Sequence, residues 1–141
     1  MIAGLYQFLE SVGFTHPLHP AVVHLPMGLV IGAVIFSFAN LFIRNQQLDR
    51  TAFHCAVLAL IFIVPTLITG ALDWVGYQYG SWREPLIIIK VILGFLLTGL
   101  LAFAVISKIR GASPTKMLIL YLLCMACAGG LGFSGGELVY G

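Results

Sequence analysis

The sequence predicts an all-α fold: an up-down bundle of four membrane helices, with a short amphipathic helix at the interface before it. Three observations carry this reading. Hydrophobic residues fill 60% of the 141 positions, charged residues only 9%, and mean hydropathy is +1.06. A water-soluble domain carries about 25% charged residues, so this chain has too few to cover an aqueous surface and belongs in lipid. The apolar residues fall into four runs, each near the ~20 residues that cross a bilayer. The links between runs are short (RNQQLDR, DWVGYQYGSWRE, KIRGASP), which makes successive helices antiparallel neighbours. No internal repeat or second domain is visible, so residues 1–141 read as one transmembrane domain.

The elements follow in order. In residues 1–15, Ile2, Leu5, Phe8, Leu9 and Val12 recur at helical spacing with Gln7, Glu10 and Ser11 between them. This stretch is too short to span and suits a helix lying on the bilayer. The first span covers about 21–43, with Pro20 in the first turn. The second covers about 52–72. The third, about 85–107, opens at Pro85. The fourth, about 115–134, has Ser113 as cap and Pro114 at the first helical position. Gly132, Gly135 and Gly136 are expected to end it and to allow close approach of the first span or a partner.

Charge sets orientation. Arg44, Arg50, Lys108, Arg110 and Lys116 fall on the side reached after the first and third spans; only Arg83 and Lys90 lie near the other. The basic side is expected to be cytoplasmic. Both termini and the 73–84 link then face outward, to the periplasm of a bacterial inner membrane. Trp74, Tyr77, Tyr79 and Trp82 in that link form an interfacial aromatic belt. No Lys or Arg precedes Arg44, so the start lacks the basic region of a signal peptide. A net charge of +2 is too mild for a nucleic-acid partner. Cys55, Cys124 and Cys127 all sit in apolar runs, and an odd number there argues against a disulfide framework. Cys124 and Cys127 make a CxxC followed by Ala128, not histidine, so they read as core packing rather than a c-type haem attachment.

The candidate chemistry centres on HPLHPAVVHLPMG, residues 16–28, which holds three of the four histidines. His16, His19 and His24 lie at the outer end of the first span, and imidazole is the commonest ligand of transition metals and haem iron. Asp73, Lys90 and Glu137 fall at the same membrane level. A charge at membrane depth is costly unless paired, and by default it marks function; for Lys90, snorkelling or pairing with Asp73 is the structural alternative. His24, Gly28 and Gly32 are spaced to share one stripe, expected to face the bundle. Lys90, Gly94 and Thr98 form a similar stripe on the third span. Thr66, Thr69, Gly70 and Asp73 share a face on the second. His54 opens the second span at the opposite side, so as a ligand it needs a partner at its own depth. No nucleophile–base pair or phosphate loop is visible, so the chain is not read as an enzyme on its own.

HPAVVHLPMGL at 19–29, TGALDW at 69–74 and GGELVYG at 135–141 together resemble a family of bacterial four-helix inner-membrane proteins, domain-of-unknown-function family 2231. Its members are often encoded near, or fused to, cytochrome and other redox modules. The resemblance therefore implies an electron-transfer subunit binding haem b or a transition metal; from the residues themselves, a quinone near His24 and Lys90 is a further candidate, because quinone oxygens want the donors found there. Its partners would be the bilayer and other membrane subunits or a cytochrome. His19 and His24 fall on the first motif, Asp73 on the second and Glu137 on the last. Many members have a histidine early in the third span, where this chain has Lys90. The sequence thus names His19, His24, Lys90, Asp73 and His54 as cofactor-binding candidates, and His16, His19 and His24 as metal candidates. The alternative is a non-catalytic accessory subunit packing on a larger respiratory or photosynthetic complex through its glycine faces.

Overall fold

The computed structural model describes residues 2–13, 18–77 and 85–140. Among these residues all regular structure is helical, joined by short turns: α1 (Ile2–Ser11), α2 (Leu18–Ile43), α3 (Gln46–Tyr77), α4 (Pro85–Ile109) and α5 (Pro114–Tyr140). The four long helices contain apolar spans Ala21–Ile43, Gln46–Val75, Pro85–Ile109 and Pro114–Glu137, so the chain is a multi-pass membrane protein. α2 and α4 each pack on α3 and α5, closing a four-helix ring, and α1 rests on α3. His16, Tyr79, Trp82 and Arg83 lie outside the described residues.

Local chemistry explains the joints. α2 stops at Arg44, which takes a left-handed φ of 51°, and Asn45 then caps α3: its side-chain Oδ1 accepts the Gln47 N–H at 2.9 Å. α3 therefore starts at Gln46, about a turn and a half before the apolar run itself begins. α4 ends at Gly111, where φ is 83°. There Ala112 N–H donates to Ser107 O and Gly111 N–H to Lys108 O, both at 3.0 Å, the paired bonds of a Schellman motif. Ser113 then accepts the Lys116 N–H at 3.4 Å, and Pro114 opens α5.

The core alternates small and large residues on single faces. α3 offers Ala52, Ala56, Ala59 and Ile63; α4 offers Gly94, Leu97, Leu101 and Ala104; α5 offers Met117, Tyr121, Cys124 and Ala128. Small residues let helix backbones approach where lipid supplies no hydrophobic drive. Ile35, Phe38, Ile61, Ile92, Phe95 and Phe133 point outward, as bilayer contact requires. All three cysteines are free thiols, with Cys124 buried in the core.

Two expectations need correction. The glycine-dense tail does not end the last helix: α5 runs through Gly132, Gly135, Gly136 and Glu137 to Tyr140. A soluble helix would fray there, but here Gly130, Gly132 and Gly135 lie against side chains of neighbouring helices. A Cβ on Gly132 would stand 3.0 Å from Met27 Cε of α2, and one on Gly130 would stand 3.1 Å from Leu93 Cδ1 of α4. The second correction concerns α2. Its buried face is Pro26, Val30, Ala33, Ser37 and Asn40, which leaves His24 and Gly28 exposed and Gly32 half-buried against Cys55. Both sides of a membrane helix are apolar, so periodicity alone does not select the packed side.

At the end of the bundle where α3 begins, Lys108 and Asp49 form a half-buried ion pair. Asp49 is in the first turn of α3 and Lys108 in the last turn of α4, so each charge also complements its own helix dipole.

The glycine contacts give a direct test. Gly130→Leu drives a side chain into Leu93 and should cost about 1–3 kcal/mol of stability. Gly129→Leu, at an open position with nothing within 4 Å, gains the same helix propensity without the clash. Thermal melts of the two variants in one detergent should separate, with Gly130→Leu lower.

Candidate functional site

The site lies at the opposite end, where α2 begins. A helix start leaves its first amides without intrahelical partners, and in or near a bilayer water is scarce to satisfy them. Here a neighbouring helix supplies the acceptor. The main-chain N–H of His19, in the first turn of α2, donates to Asp73 Oδ2 of α3 at 2.7 Å. Asp73 is 3% exposed. It thus caps α2 across the helix interface, and its negative charge meets the positive end of the α2 dipole.

The His19 side chain is fixed by the same face of α3. Its Nδ1 lies 2.9 Å from the Thr66 carbonyl oxygen. A carbonyl only accepts, so Nδ1 carries the hydrogen and donates, which leaves Nε2 of the neutral ring as a lone-pair acceptor. Gly70 makes this contact sterically open: a Cβ there would stand 3.0 Å from His19 Nδ1 and 3.2 Å from Cε1. Thr66, Thr69, Gly70 and Asp73 thus act as one stripe, with the threonine hydroxyls returned to the helix's own carbonyls: Thr66 Oγ1 to Phe62 O at 2.7 Å and Thr69 Oγ1 to Pro65 O at 2.9 Å.

α4 and α5 complete the cluster. Lys90 is half-buried, with Nζ 3.6 Å from where a Cβ on Gly135 would stand. It interacts electrostatically with both His19 and Asp73. Gly135 is therefore the space on α5 into which the ammonium folds. Burial pushes the His19 imidazole below its ordinary range. The bond to Thr66 opposes this, Lys90 adds to it, and Asp73 opposes it.

Of the residues singled out from sequence, His19, Asp73 and Lys90 come together. His24 does not join them: it is exposed on α2, on the side away from Pro26 and Val30. His54 is exposed on α3 toward the other end, its ring 6.0 Å from that of Phe53. Glu137 is exposed on α5. Among the described residues no three His, Cys, Asp or Glu converge as a metal-binding group. Sequence reasoning missed two partners of His19, the Thr66 carbonyl and the space at Gly70. It also missed the Asp49–Lys108 pair, although an acid in a first turn and a base in a last turn at one membrane level is a readable signal.

Two outcomes follow. His19 is harder to protonate in the folded chain than in the unfolded one, whose imidazole titrates near ~6.5. The unfolded state therefore binds the extra proton more readily. Folded stability should be complete above about pH 6.5 and fall as pH drops through the folded value. Melts at pH 7.5 and 5.5 should show that loss, and His19→Gln should reduce the difference. Asp73→Ala removes the α2 cap and should cost about 2 kcal/mol or more, while Asp73→Asn, which keeps an acceptor oxygen, should cost less.

No curated protein and no solved structure matches the chain. The family described as predicted membrane protein (DUF2231) matches residues 15–141, a stretch that holds all four spans and every residue of the His19 cluster. With the four-helix membrane architecture and the motif residues His19 and Asp73 joined in space, the chain belongs to the DUF2231 family of membrane proteins.

Proposed function

We propose that the chain is a membrane-embedded electron-transfer subunit of a redox complex, with its cofactor site at the His19 end of the bundle. The observation that supports this is the His19 ring itself. Its Nδ1–H is committed to a main-chain carbonyl at 2.9 Å, the outer-shell arrangement that fixes the tautomer and orientation of a ligating histidine. Nε2 is then the atom offered to a cofactor.

The donor set discriminates among cofactors. A bare transition metal takes three or four protein donors, more than converge among the described residues. A haem needs only one or two axial donors, and His19 Nε2 fits one of them. The second would come from elsewhere, since His24 faces outward. Such a group would supply one-electron transfer. The chain's own residues do the rest: Thr66 orients the ring, Asp73 holds the start of α2 in place, and Lys90 sets a positive field beside it.

An accessory structural role is the second reading. It is favoured by the fact that Asp73 caps a helix, so a motif residue already has an architectural task. The two readings separate by spectroscopy. The purified protein should show a Soret band or a bound redox-active quinone on extraction, and His19→Asn should lose it while remaining folded. A colourless protein with no extractable cofactor, still assembled with its complex after His19→Asn, would favour the accessory role.

A further inference from the structure

The ligand chemistry of the His19 end can be taken one step further, resting on the electron-transfer reading above. We infer that the site binds the headgroup of a lipid-soluble quinol, with His19 Nε2 accepting the hydrogen bond of a phenolic O–H and Lys90 placing its ammonium beside the ring oxygens.

Three observations lead there. The first is complementarity. The Thr66 carbonyl holds the Nδ1 hydrogen, so Nε2 is an acceptor, whereas Lys90 Nζ is a donor only. An acceptor and a donor gathered at the rim of an apolar bundle match a small molecule with a hydroxyl and a further oxygen on an apolar body. The second is charge. The Lys90 ammonium interacts with His19 and disfavours a cation at Nε2, whereas a neutral phenol meets no such penalty. The third is space. α5 is packed closely against its neighbours just below the site: a Cβ on Gly130 would stand 3.1 Å from Leu93 Cδ1 and one on Gly132 3.0 Å from Met27 Cε, so there is no room between the helices there. A one- or two-ring headgroup needs only the rim above these contacts, which it reaches from the bilayer where its own tail dissolves.

The test uses the full chain in phosphatidylcholine nanodiscs and the fluorescent quinol analogue 2-heptyl-4-hydroxyquinoline N-oxide, displaced by decylubiquinol. Wild type should quench the probe saturably, at one site per chain, and decylubiquinol should compete. His19→Asn keeps the main-chain N–H that Asp73 holds, yet should weaken binding about tenfold or more, the scale of one lost hydrogen bond. Lys90→Met should weaken it as well, and provides the test if His19→Asn fails to fold. His24→Ala, on the outward side, should change affinity less than twofold. Absence of saturable quenching in wild type overturns the inference, and so does loss on His24→Ala with retention on Lys90→Met. A haem spectrum without quinol binding would remove this inference alone and leave the electron-transfer reading standing. Absence of both would remove the two together.

Discussion

The bond from the His19 amide to the Asp73 carboxylate is the contact that the rest of this end of the molecule depends on. A helix that starts near the membrane surface exposes amides and the positive end of its dipole where water is scarce. A hydroxyl or amide cap within the same chain segment would satisfy one donor. A buried carboxylate on the next helix does more, because its charge stabilises the dipole in a medium that screens weakly. The cost is desolvation of that carboxylate. It is offset by serving two positive partners, the end of α2 and the Lys90 ammonium.

From that contact the positions of the other groups follow. Pinning the His19 main chain to Asp73 brings its ring down along α3, one turn and then two turns back from Asp73, where Gly70 leaves room and Thr66 offers a carbonyl. The site is therefore not a loop decorated with histidines. Its main acceptors belong to one stripe of α3, its imidazole to the first turn of α2, its ammonium to α4, and the space for that ammonium to Gly135 of α5. Each of the four long helices contributes one part, so the geometry of the site depends on the bundle being assembled.

Much of this was legible in the sequence. Spans, links and caps follow from apolar runs punctuated by Pro20, Pro85, Ser113 and Pro114, and the stripe of Thr66, Thr69, Gly70 and Asp73 is visible from spacing alone. The rotation of α2 was not legible. His24, Gly28 and Gly32 form as regular a stripe as Pro26, Val30 and Ala33, and in lipid neither is distinguished by polarity. What decides is the fit of α2 against α3 and α5, as where Met27 meets Gly132, which is a property of pairs of helices rather than of one. The continuation of α5 through its glycines was hidden for the same reason: those residues are stabilised by neighbours that no local pattern names.

The two ends of the bundle handle charge differently, and the contrast bears on function. At one end Asp49 and Lys108 neutralise each other, each also placed at the favourable pole of its own helix. The effect of that pair is to tie α3 to α4. At the other end the carboxylate accepts the His19 amide and lies in the field of the Lys90 ammonium, and a neutral imidazole is placed beside them with one nitrogen already bonded. A pair built only for stability would resemble the first arrangement, since adding a half-buried histidine to an acid and a lysine raises the cost of desolvation. The second arrangement holds an oriented acceptor beside a fixed positive charge in a low-dielectric setting, which is what recognition of a polar headgroup on an apolar molecule requires.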